Sequence, residues 1–198
     1  MKKILLHACC APCSGAIIEY LVQTGFSPVV FFSNANIVPY AEYRKRLDEC
    51  IRYARDCGVE IVEDTYDHAE WKCVTAGLEN EPERGARCLE CFRYRLVRAA
   101  KYASENGFDT LTTSLASSRW KDLAQVDEAG RYACSLFPGV TWWGKNWRKG
   151  GLQERRNAII RERKFYNQTF CGCEFSERPE KSPNKSDSPR CQDLPQQP

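Results

Sequence analysis

Three groups of cysteines carry spacing that could do chemistry: CCAPC (Cys9, Cys10, Cys13), CLEC (Cys88, Cys91) and CGC (Cys171, Cys173). A thiol at the start of a helix feels the positive end of the helix dipole and is biased towards thiolate, the form that binds metals. CCAPC follows the first apolar run and opens a helical stretch, and CLEC opens another. Two such helix starts converging at one sheet edge would assemble four thiolates. A [4Fe–4S] cluster needs four, and Cys9, Cys10, Cys88 and Cys91 are the candidate ligands. Zinc is the rival, because CLEC fits a paired zinc ligand. The adjacent Cys9 and Cys10 do not make a zinc knuckle, and the spacing favours a cluster. Cys13 is then a fifth thiol, available for substrate chemistry or for an auxiliary mononuclear iron. Cys171 and Cys173 flank a glycine too tightly to chelate well, and read as a redox-active pair closing a small, easily reduced ring, the alternatives being two incidental thiols or further metal ligands.

A second feature is basic and aromatic. WWGKNWRKGG, from Trp142 to Gly151, holds three of the five tryptophans, and eight basic against two acidic residues fall between Lys145 and Lys164. With a total net charge of +3, this stretch is +6 and the remainder −3. Rings that stack bases beside cations that hold phosphates are how proteins bind unpaired nucleotides. Trp147, Arg148, Lys149 and Arg155 are the candidate RNA contacts; the competing reading places the tryptophans in the core and the arginines on a solvated helix face. Lys121 and Asp122 follow the fourth strand on the functional edge, with Asp122 a candidate proton donor. His7 closes the first strand beside the thiols, either as a satisfied core histidine or as a proton donor. His68 is expected at the surface.

The elements that must position these groups alternate. Strands are expected at 3–7, 28–32, 59–63, 109–114 and 140–143. Helices are expected at about 14–23 with Ser14 as N-cap, then at 40–57, 67–76, 88–106, 123–136 and 152–165. Alternation of this kind predicts an α/β, doubly wound parallel sheet with helices on both faces. Ligands of such folds bind beyond the carboxyl ends of the strands, which is where CCAPC lies. Cys50, Cys57, Cys73 and Cys134 fall at helical positions and read as small buried hydrophobes. There is no Walker A sequence, G-x-G-x-x-G or S-G-G-x-D-S, so nucleotide hydrolysis and dinucleotide binding lack support.

Composition bounds the rest. A chain of 198 residues, 42% hydrophobic and 28% charged, suits one domain with a sizeable core. No apolar run approaches the ~20 residues of a membrane span. The apolar core of MKKILLHACC is too short for a signal peptide, so a cytoplasmic protein is expected, where dense cysteines serve as metal or redox groups. Residues 1–175 are expected to form the catalytic domain. Residues 176–198, with five of the ten prolines, are expected to be a disordered tail that includes Cys191.

The motifs LLHACCAPCSG, NANIVPYAEYRKRL, EPERGARCLECFRYRL, TTSLASSRWKD, WRKGG and FCGCEFS together resemble the QueH family, the cobalamin-independent epoxyqueuosine reductases of tRNA modification. The resemblance runs from about Lys3 to Ser176. It implies a Rossmann-like fold of the PP-loop (HUP) kind without ATP chemistry. The implied reaction is reduction of epoxyqueuosine to queuosine at the wobble base of a tRNA anticodon loop, the last step of queuosine biosynthesis. It also implies cluster ligation by Cys9, Cys10, Cys88 and Cys91, a redox-active disulfide between Cys171 and Cys173, and an external electron donor such as ferredoxin or flavodoxin. The sequence departs at NANI, where NPNI is commoner, and at SSRWKD, where S-P-Y-K is commoner; neither touches a cysteine. Two other readings remain at this stage: a zinc-stabilised RNA-binding module, and a metal-free thiol–disulfide oxidoreductase.

Overall fold

The computed structural model describes residues 2–176; the expected tail beyond Ser176, with Cys191, lies outside them. Strand β1 (Lys2–His7) enters the sheet as a nearly continuous apolar run, and Ile4 to His7 are buried on both sides, as in a parallel strand covered on two faces. Strands β2 (Phe26–Phe32), β3 (Glu60–Glu63), β4 (Thr110–Thr113) and β5 (Thr141–Trp142) complete a five-stranded sheet, in the order β3-β2-β1-β4-β5. Every pairing is parallel, with His7 opposite Phe31 on one side and Thr113 on the other. This is the doubly wound, Rossmann-like arrangement that the alternation predicts.

Helix α1 (Ala11–Gln23) packs against α2 (Tyr40–Asp56) and α6 (Leu152–Glu162). Helix α4 (Ala86–Glu105) packs against α3 (His68–Val74) and α5 (Leu123–Ser135). The strand order reverses between β1 and β4, and the crevice beyond their carboxyl ends is where such folds bind ligands. Both CCAPC and the short 3-10 turn Ser114–Ser117 leave the sheet at that point.

The expectation for Ser14 is corrected. Helix α1 begins three residues earlier, with Cys10 extended at its N-cap (φ −175°) and Pro12 in its first turn. Proline suits that position because it gives up an N–H that would have no helical partner. Ser14 instead donates its hydroxyl back to the Cys10 carbonyl at 2.9 Å, the usual role of serine inside a helix. Among the cysteines read as small hydrophobes, Cys50 and Cys134 are buried. Cys57 sits half-buried at the C-cap of α2, and Cys73 is exposed on the outer side of α3.

Candidate metal and redox centre

The end of β1 delivers three thiols to one point. The Sγ atoms of Cys9, Cys10 and Cys13 all lie within 4.8 Å of one another, with Cys9 and Cys10 at 3.8 Å. The three thiols shift one another's acidity. The thiols of Cys10 and Cys13 hydrogen-bond to Cys9 and hold it well below the ordinary cysteine range, with Arg95 and Ser114 adding to the effect. Cys10 is pushed up by Cys13 and Cys9. For Cys13, the pull of Cys10 is outweighed by Cys9 and by burial, which push it up to about 12. Ser114, at the end of β4, completes this corner: its Oγ accepts the Cys9 N–H at 2.9 Å and lies 3.3 Å from Cys9 Sγ.

The first turn of α4 delivers the second group. Cys88 is half-buried and Cys91 buried one turn on. Cys88 Sγ accepts the backbone N–H of Arg84 at 3.3 Å, and Arg84 holds that turn with φ at 68°. Burial raises both thiols, opposed by the Arg84 N–H at Cys88 and by the charge of Arg95 at Cys91. Neither joins the tight trio of Cys9, Cys10 and Cys13.

The C-terminal segment arrives by way of α2. Buried Arg46 is paired with Glu42 at 2.7 Å and donates to the Cys171 carbonyl at 2.9 Å. The Val38 N–H donates to the Gly172 carbonyl at 2.9 Å. Gly172 is required here: its φ is +109°, and a side chain would meet Arg46 Nη1 and Ile37 at 3.0 Å. Cys171 comes to rest with its sulfur 3.0 Å from Lys121 Nζ. Cys173 hydrogen-bonds to Cys171, and this bond, reinforced by Lys121, holds Cys171 well below the ordinary range while pushing Cys173 up.

Two observations test whether the thiols fit an anionic metal group. Arg95 is 1% exposed. Its Nε donates to the Ser33 carbonyl and its Nη2 to Asn34 Oδ1, both neutral acceptors, and no carboxylate pairs with it among the described residues. A buried cation needs a compensating anion, and the thiols in its field are Cys9, Cys91 and Cys171. Trp71 is buried and packs with Cys91 and Cys173, and among the described residues its Nε1–H has no partner but the Cys91 sulfur, whose thiolate it favours. The donor set therefore fits a soft, negatively charged metal–thiolate group.

Several sequence-predicted roles are reassigned. His7 is fully buried between Thr113 Oγ1 (2.7 Å) and the Ser33 carbonyl (3.1 Å), and burial with nearby Arg95 pulls its pKa down to about 3. It is a neutral core histidine, not a proton donor. Asp122 is exposed and caps α5, accepting the N–H groups of Ala124 at 2.7 Å and Gln125 at 3.3 Å; its neighbour Lys121 is the residue that reaches the thiols. His68 is half-buried rather than on the surface, stacked beside Trp71 with Nδ1 on the Ala35 carbonyl at 2.8 Å. Trp147 is 1% exposed, its Nε1 donating to Thr112 Oγ1 at 3.2 Å, so it offers no ring face to a base. Arg155 grips Glu19 at 2.7 and 2.9 Å and also reaches Glu162. Arg148 ties down the 118–121 loop through the Ser118 and Lys121 carbonyls. Lys149 is exposed. The aromatic open to solvent at this edge is Trp120, 50% exposed with Arg119 over its ring.

Sequence reasoning missed Arg95, Ser114 and Trp71. Arg95 alone left a signal: a cation on the buried stripe of α4, in step with Cys91, Phe92, Leu96 and Ala99, demands a buried anion.

Residues 4–179 match the family model described as epoxyqueuosine reductase QueH. Proteins named epoxyqueuosine reductase QueH from Histophilus somni and Acinetobacter baylyi are each 44% identical, over 89% of this chain and 73% and 81% of their own lengths. That of Thermotoga maritima is 31% identical over 91% of this chain and 94% of its own. With this extent and identity, and with the thiols gathered at the switch point of the sheet, the chain belongs to the QueH family.

Proposed function

We infer that the protein is an oxidoreductase of queuosine biosynthesis, reducing epoxyqueuosine to queuosine in tRNA. The observation that carries this reading is the gathering of Cys9, Cys10, Cys13, Cys88, Cys91, Cys171 and Cys173 around Arg95 and Lys121, in a chain of this family. The balance is simple: the epoxide takes two electrons and two protons, both C–O bonds break, and the products are the cyclopentene and water.

Cys9, Cys10, Cys88 and Cys91 are the residues that would hold a [4Fe–4S] cluster, leaving Cys13 for an auxiliary mononuclear iron or for substrate. The chemistry supplied there is single-electron transfer, with Lewis-acid polarisation of the epoxide oxygen if the second iron binds. The chain's own groups set the conditions. Arg95 offsets accumulated negative charge without offering a proton. Trp71 Nε1–H donates to the Cys91 sulfur. Buried His7 keeps the floor of the crevice neutral, and Cys171 with Cys173 holds a further electron pair. The anticodon loop is received at the rim formed by Arg119, Trp120, Arg148 and Lys149, where a ring face and cations lie together. No helix among the described residues is long and apolar enough to cross a membrane.

The three-thiol trio also suits one tetrahedral ion, whose thiolates lie about 3.8 Å apart at a Zn–S distance of ~2.3 Å. Metal and acid-labile sulfide analysis of protein prepared without oxygen separates the readings. About four irons with four sulfides, and conversion of epoxyqueuosine-tRNA with a chemical reductant, is the expected result. Zinc without sulfide, and no conversion, overturns it.

A further inference from the structure

Cys171 and Cys173 lie two residues apart but face different surroundings. Cys171 is partly accessible, with Lys121 Nζ donating to its sulfur at 3.0 Å. Cys173 is buried in an apolar cluster with Ala35, Trp71, Cys91 and Tyr94. Its loop is closed by Ser176 Oγ, which donates to the Cys173 carbonyl at 2.8 Å. The left-handed Gly172 between them turns the two sulfurs into these separate settings. The charged and titratable groups around Cys171 are Lys121, Arg95, Cys88, Cys91 and Cys173. Among the described residues, Lys121 is the cation that donates to its sulfur.

We propose that Cys171 is the exchanging sulfur of the pair, held by Lys121 as its positioning residue, that Cys173 is the sulfur it releases, and that the reductant is a dithiol. The proposal rests on the reading of Cys171 and Cys173 as a redox pair. A thiolate of the dithiol attacks Cys171 Sγ. The Cys171–Cys173 bond breaks, its electron pair goes to Cys173, and Cys173 takes a proton. The second thiol of the donor loses its proton and attacks the donor sulfur now bonded to Cys171. Cys171 departs as a thiolate beside the Lys121 ammonium. The donor is oxidised to its disulfide, and the pair is reduced by two electrons. Exchange is fastest where the sulfur is accessible and faces a cation, and Cys171 is partly accessible with Lys121 Nζ at 3.0 Å.

The test uses metal-loaded, reduced protein under anaerobic conditions, with oxidised glutathione as probe and peptide mass mapping as readout. In Cys173→Ser, glutathione is expected on Cys171; in Cys171→Ser, Cys173 should react about tenfold more slowly. Lys121→Met should slow modification of Cys171 by about tenfold, and Lys121→Arg should restore it to within about threefold, which a merely structural role would not predict. A brief iodoacetamide pulse on the wild-type protein reads the same Cys171:Cys173 preference without any variant. Equal labelling of the two cysteines, or an unchanged rate in Lys121→Met, overturns the proposal. Failure of wild-type protein to form the Cys171–Cys173 bond under glutathione overturns the redox-pair reading itself.

Discussion

Cys9 and Ser114 meet twice, through a 2.9 Å bond from the Cys9 N–H to Ser114 Oγ and a 3.3 Å contact from that oxygen to Cys9 Sγ. One side chain thereby joins the end of β1 to the end of β4 across the switch point and fixes where the first thiol stands. Ser114→Ala leaves a largely buried N–H without its acceptor, which costs about 1–3 kcal/mol. For a chain of this size, about 1 kcal/mol moves Tm by roughly 2–4 °C. The expected result is a fall of several degrees in calorimetry, with faster loss of metal to a chelator.

Arg95 is a buried cation with only neutral hydrogen-bond acceptors. Arg95→Leu removes the charge that compensates a thiolate-bound metal group, and iron per chain after anaerobic reconstitution should fall several-fold. Arg95→Lys keeps the charge and should retain more metal than the leucine variant. Equal metal content in the two would remove the counter-charge role.

Trp120 on the proposed RNA surface and Trp147 in the core have opposite expected behaviour. Trp120→Ala, at an exposed position, should weaken tRNA binding by about 1–3 kcal/mol, the usual worth of a stacked base, with Tm nearly unchanged. Trp147→Ala removes a core ring and should cost about 3–5 kcal/mol of stability. Binding titrations and thermal melts on both variants check the pair. Arg148→Ala with Lys149→Ala should reduce the salt slope of tRNA binding.

Glu19 supplies the pH dependence. Its bidentate partner Arg155 holds its carboxyl below the ordinary value of 4.5, with Tyr53 assisting. The unfolded chain takes up the proton first as pH falls, so the stabilisation is present above about pH 4.5 and is lost in more acid solution. The pair is partly exposed, so its worth is about 0.5–1 kcal/mol. Glu19→Gln should lower stability near neutrality by that amount and flatten its fall between about pH 5 and about pH 3.

Local rules made much of this protein legible. Alternating apolar runs and helical stripes placed the five strands and six helices of the described residues to within a few residues, because their period and their glycine and proline breaks are properties of short segments. The start of α1 was misplaced because a serine looks like a cap, while Cys10 performs that role by backbone conformation alone. Trp147 looked like a nucleotide platform because composition records that a ring sits beside cations, not which way the ring points. Asp122 was drawn towards catalysis by its position, although its carboxylate caps α5 and the next residue back does the reaching.

The sequence by itself determined the doubly wound class and the strand end at which Cys9, Cys10 and Cys13 gather. Each of these depends on residue types, spacing and period, which exist before any long-range contact forms. Only the tertiary structure decided what surrounds each thiol. Lys121 and Cys171 are 50 residues apart, Cys9 and Ser114 are 105 apart, and Arg46 reaches Cys171 across 125. Reactivity in a buried site depends on which cation, dipole or apolar wall lies within a few ångströms. In this chain those neighbours are supplied by segments that meet only when the sheet closes.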